Sequence, residues 1–199
     1  MKKQAGFSLV ELVIVIIVVG LLAVAALPRF LNVTDEAKKA QIEGVAGGYA
    51  TAVLSARAQW EADGRPQTSN EKHKVNYDGS DFMLTVATAN NSVRDGYPIR
   101  YGDNNGATIS NMTSGTCKEL FEQLMQNPPQ ITDKAAEAKA NGGNFQYFAK
   151  VSGNNNNAVC EYYQLASANT NNNDSNLSEE SGHQFTYKPA LGQVVVNLK

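Results

Sequence analysis

The chain has 199 residues, two cysteines and a formal net charge of −2. That length suits one apolar anchor plus one ordinary globular domain. With a pI near 5.7, the balance gives no electrostatic footprint for nucleic acid, and no nucleic-acid partner is expected.

The N-terminal stretch MKKQAGFSLVELVIVIIVVGLLAVAALPR carries the main signal. Lys2 and Lys3 precede an apolar run of 21 residues, Phe7 to Leu27. As a helix that run is about 30 Å long, the thickness of a bilayer core. The two lysines keep the N-terminus cytoplasmic, so the remainder crosses. Glu11 is the anomaly. A carboxylate in such a segment costs on the order of 3 kcal/mol and reads as functional. A secretory signal would put its small-residue cleavage site after the run, where Ala23–Ala26 mimic one. Neither that reading nor a plain anchor accounts for Glu11.

Pro28 predicts a kink or break. Beyond it, residues 29–62 read as an amphipathic helix. Phe30, Val33, Ala37, Ile42, Val45, Tyr49, Val53, Ala56 and Trp60 recur at steps mostly of three and four. Gly44, Gly47 and Gly48 weaken that helix and suggest close packing, against a sheet or another subunit. Asp63-Gly64-Arg65-Pro66 ends it.

The region 67–91 is polar around a short apolar piece, Phe82-Met83-Leu84. Residues 93–101 look like a strand entry with a turn at Asp95-Gly96, and 103–106 like another turn. Asp78 and Asp103 do not fit a calcium-loop spacing. Residues 116–126 form a short amphipathic helix with Cys117, Leu120, Phe121, Leu124 and Met125 on one face. A second helix is expected over 132–140, stopped by Asn141-Gly142-Gly143. Strands follow at 145–151, 158–165, 184–187 and 194–196. Asn154–Asn157 is a hairpin turn, and 169–181 a long polar loop. His73 and His183 read as surface or strand residues.

An exported domain with an even cysteine count predicts one disulfide, Cys117–Cys160. A catalytic cysteine or a metal site is the competing reading, and it needs more histidine or cysteine neighbours than the chain offers. No nucleophile–base pair, phosphate loop or zinc spacing is present, so neither enzyme activity nor a cofactor is expected. The elements add up to an α+β architecture, a long helix on a C-terminal antiparallel sheet.

Gly6-Phe7-Ser8-Leu9-Val10-Glu11 and the apolar run behind it resemble the class III leader of type IV pilins. The likeness is close over about the first 30 residues and loose over the next 30. It implies the type IV pilin fold and the segments 1–6 leader, 7–28 transmembrane and assembly helix, 29–62 amphipathic helix and 63–199 head. It implies cleavage between Gly6 and Phe7 by a prepilin peptidase and N-methylation of Phe7. Glu11, Gly20 and Pro28 match positions used in assembly. The implied partners are other pilin subunits, the peptidase, an inner-membrane assembly platform and, before assembly, the membrane of a Gram-negative bacterium. The implied destination is an extracellular filament. Pro28-Arg29-Phe30 and Gly96-Tyr97-Pro98 further resemble the mannose-sensitive haemagglutinin (MSHA) pilins. The alternative is a pseudopilin of a type II secretion system, which shares the leader, Glu11 and the helix. Many such subunits carry a calcium loop in place of a disulfide.

Overall fold

The computed structural model describes residues 7–67, 72–89, 92–103, 106–139, 144–168 and 182–199. The chain divides into two compact units, 1–38 and 39–199. One helix, α1 (Leu9–Ala62), contributes to both.

In the first unit α1 has no buried side chain, and its large apolar residues from Phe7 to Val33 are exposed. Its most apolar 18-residue window has a mean hydropathy of 3.1, which with its length is enough to cross a membrane. Of the kink or break expected at Pro28, the break does not occur, since Pro28 lies inside the continuous helix. Proline removes one donor and crowds one carbonyl, while the hydrogen bonds of the flanking turns are left to carry the helix through.

In the second unit α1 buries Ile42, Ala46, Tyr49, Ala52, Val53, Ala56 and Trp60, a single stripe at helical spacing. Phe30, Val33 and Ala37, expected on the same stripe, are exposed and belong to the first unit. Gly44, Gly47 and Gly48 are exposed, and a Cβ at any of them would meet nothing within 4 Å. Packing against the sheet therefore does not explain them.

The fold is α+β, with the expected C-terminal antiparallel sheet and, in addition, a separate three-stranded sheet. The three-stranded sheet is antiparallel, β1 (His73–Tyr77), β2 (Ser80–Leu84) and β3 (Pro98–Tyr101). Its β1–β2 hairpin turns at Asp78-Gly79, both at positive φ (51° and 78°), as a two-residue type I′ turn requires. The C-terminal sheet has the order β4 (Ile131–Thr132), β5 (Tyr147–Ser152), β6 (Val159–Gln164), β7 (Gln184–Lys188), β8 (Gln193–Asn197). All its pairs are antiparallel except the short β4–β5 pair, which is parallel. Helix α2 (Ser114–Leu124) is capped by Thr113, whose side chain accepts from the Thr116 N–H. Helix α3 (Ala135–Lys139) is shorter than expected because Ile131 and Thr132 pair as β4. The predicted stop at 141–143 and the polar loop at 169–181 lie outside the described residues.

The core centres on Tyr49. Its ring lies 5.4 Å from those of Tyr162 and Tyr187, 5.8 Å from Phe185 and 6.1 Å from Phe121. Alternation supplies this arrangement. Cys160 and Tyr162 on β6, and Phe185 and Tyr187 on β7, all point to the helix side, while Glu161 and Thr186 between them are half-buried. Tyr162 donates its hydroxyl proton to the Cys117 carbonyl (2.8 Å), and Tyr187 donates to the Pro98 carbonyl (2.8 Å). These bonds let phenols sit in an apolar core without an unsatisfied donor. Burial raises the Tyr49, Tyr162 and Tyr187 hydroxyls well above the ordinary value.

Candidate functional site

The start of α1 is built from its own sequence. The Ser8 N–H donates to Glu11 Oε2 (2.8 Å), and the Glu11 N–H donates to Ser8 Oγ (3.2 Å). This reciprocal pair is a capping box with Ser8 at the N-cap and Glu11 three residues on. It satisfies two of the donors that a helix leaves orphaned at its start. The Ser-x-x-Glu spacing before an apolar run is itself a sequence signal, separate from the anomaly of the charge.

The box takes up only part of the Glu11 carboxylate. Oε2 accepts one bond, and Oε1 accepts none among the described residues. An ionised carboxylate has about four acceptor sites, so capacity for a cation remains. Phe7, one residue before the N-cap, is 91% exposed. Gly6 lies outside the described residues. Gly20 sits on the exposed helix surface, where a Cβ would meet nothing within 4 Å, so it leaves a shallow gap for another backbone. An apolar surface this long needs lipid or protein against it.

The second unit carries the disulfide. Cys117 and Cys160 are bonded, with Cα atoms 5.5 Å apart and both residues fully buried. The bond ties α2 to β6 directly beside the aromatic core. His73, expected at the surface or in a strand, opens β1, while His183 lies just before β7; both are buried, at 6% and 2% exposure. His73 packs on the Trp60 ring (4.7 Å) and faces Asp95 at 3.1 Å. His183 Nδ1 accepts from the Lys199 N–H.

The model described as the prokaryotic N-terminal methylation motif matches residues 1–27. The chain is 32% identical over 106 residues to the fimbrial protein EcpC of Eikenella corrodens, a match covering 48% of this chain and 69% of that protein. It is 24% identical over 143 residues to the type IV major alpha-pilin of Moraxella bovis, covering 71% and 89% of the two chains. It is 41% identical over 57 residues to the type IV narrow pilus major component PilA5 of Thermus thermophilus. That last match covers 29% of this chain and only 49% of the Thermus protein. No solved structure matches. The chain belongs to the type IV pilin family.

Proposed function

We propose that this chain is a minor structural subunit of an MSHA-type pilus, most like the second pilin of that system, and has no enzymatic role. A leader, 1–6, is removed by a prepilin peptidase that cuts between Gly6 and Phe7, and the new Phe7 amine is methylated. Residues 7–28 hold the subunit in the inner membrane of a Gram-negative bacterium until an assembly platform passes it into a surface filament used in attachment. There it contacts other pilin subunits through the face that carries Gly20 and Pro28.

The observation that carries this reading is the Ser8–Glu11 box at the head of an exposed apolar helix, inside the methylation motif. Glu11 would pair its free oxygen with the methylated amine of Phe7 on a neighbouring subunit. Such a pair sets axial register, because only one offset brings amine to carboxylate. The relatives support polymerisation through their own names, as pilus components and a fimbrial protein.

The test is N-terminal sequencing of the subunit from sheared surface material. A methylated Phe7 terminus is expected, and Gly6→Val should leave the precursor uncut. A terminus at Met1, or one after Ala23–Ala26, would overturn the proposal.

A further inference from the structure

A cavity of about 410 Å³ lies in the second unit between the last turns of α1 and the segment leading into β3. Arg57, Trp60, Glu61 and Arg65 form one wall, and Arg94 and Asp95 stand on the other. Three arginines thus face two carboxylates, and both carboxylates already have partners. Glu61 Oε1 lies 3.2 Å from Arg57 and 3.9 Å from Arg65. Asp95 Oδ1 accepts from the Ala87 N–H and faces buried His73. Arg57 also donates to the Tyr97 hydroxyl, and the Arg65 guanidinium lies 5.6 Å over the Trp60 ring. The Arg94 guanidinium makes no hydrogen bond or ion pair among the described residues. Arg94 is exposed, so its positive charge stands at the mouth of the cavity against solvent, with no carboxylate on it among the described residues.

The backbone holding that charge is fixed. The Arg94 N–H donates to the Ala190 carbonyl (2.7 Å), and the Arg94 carbonyl accepts from Thr85 Oγ1. The Tyr97 N–H donates to the same Thr85 oxygen (2.9 Å). Gly96, at φ +84°, lies flat on Trp60, and a Cβ there would come within 2.6 Å of the indole. Only glycine permits this approach, and it fixes how close Arg94 stands to α1. A preorganised wall lowers the ordering cost of binding.

We propose that this cavity binds a small ligand carrying an oxyanion, either the carboxylate of an acidic sugar or a phosphate group, with Arg94 as its primary cation. The volume falls within the range of ligand pockets. A guanidinium presents two parallel N–H donors that match either oxyanion, and a charge-assisted pair of this kind is among the stronger polar contacts.

Trp60 is the only tryptophan in the chain, so its fluorescence reports on the cavity wall. Full-length protein in detergent is titrated with glucuronate, inorganic phosphate and glucose at constant ionic strength. A saturable Trp60 response to glucuronate or to phosphate, with none to glucose, is expected. The anion that gives the response identifies the source. Arg94→Ala should weaken that binding roughly tenfold or more, with an unchanged unfolding midpoint. Arg94→Lys should fall between the two, since it keeps the charge and loses the fork. No saturable response to either anion, an equal response to glucose, or a response undiminished in Arg94→Ala would overturn the proposal.

Discussion

Replacing both cysteines, Cys117→Ala with Cys160→Ala, isolates what the cross-link contributes to the second unit. The bond closes a loop with a sequence separation of 43, which corresponds to about 4 kcal/mol of lost chain entropy in the unfolded state. In the folded state little else should change. Tyr162 still reaches the Cys117 carbonyl at 2.8 Å, and Leu120 and Phe121 stay buried in the core. A domain of this size has about 5–15 kcal/mol of stability, so the double variant should remain folded with a reduced margin. With a urea slope of about 2 kcal/mol per molar, the midpoint should fall by roughly 2 M. The assay is urea unfolding of full-length protein in detergent, followed by the emission of Trp60, which is 1% exposed when folded. Native protein unfolded in the presence of reductant should coincide with the double variant. A variant midpoint indistinguishable from that of the oxidised native protein would show that the unfolded chain gains no freedom from the loss of the bond.

The tyrosine core makes two further predictions. Tyr162→Phe should destabilise more than Tyr49→Phe, by about 1 kcal/mol. It removes the bond to the Cys117 carbonyl and leaves the Tyr49 hydroxyl without its partner, whereas Tyr49→Phe loses only a 3.2 Å hydroxyl pair, and urea midpoints of the two variants decide it. At high pH, burial holds Tyr49, Tyr162 and Tyr187 well above their ordinary value of 10.0 and pushes Tyr147 up to about 12. Folded pKa values raised in this way leave stability intact below pH 10, then remove it as pH rises, because only the unfolded chain releases those protons. The expected loss is about 1.4 kcal/mol per pH unit for each such group. Phenolate absorbance should therefore appear in two stages, the second coinciding with unfolding, and a single smooth titration of all eight tyrosines would contradict the burial argument.

Periodicity makes much of this fold legible. The stripe from Ile42 to Trp60, the face of α2 and the alternation of β6 and β7 are local patterns, and each survives folding because one side of each element meets the core. The cysteine pair is legible from its parity and its exported setting. The β1–β2 hairpin is also encoded locally, by Asp78-Gly79 between alternating apolar residues, but the polar composition of 67–91 masks it. What periodicity does not encode is which strands share a sheet, so the split into two sheets and the parallel β4–β5 pair appear only in three dimensions. The same holds for the arginine cavity. Arg57 and Arg94 are distant in sequence and meet across it only because Thr85 pins the 94–97 backbone and Gly96 accepts the indole.

Glu11 poses a sharper question, because its position has two physical explanations that act at different levels. As half of a capping box it stabilises the first turn of α1 within one chain, a contribution on the order of 1 kcal/mol. As a buried charge facing the methylated amine of another subunit it would stabilise the filament, and removing it would leave that amine unpaired at about 3–5 kcal/mol. The two accounts separate cleanly by substitution at Ser8. Ser8→Ala removes the hydroxyl that accepts from the Glu11 N–H but leaves the carboxylate and its charge. Glu11→Gln leaves a side chain able to accept from the Ser8 N–H but removes the charge. If intersubunit pairing dominates, Ser8→Ala should enter sheared filaments nearly normally, and Glu11→Gln and Glu11→Ala should both accumulate, processed, in the membrane fraction. If capping dominates, Glu11→Gln should assemble nearly as well as the native subunit, and Ser8→Ala should be as impaired as Glu11→Ala. Blotting sheared and membrane fractions of the three variants beside the native chain measures which holds. Normal assembly of Glu11→Gln would refute the charge-pairing account, since the amide keeps the shape and the hydrogen bond and lacks only the charge.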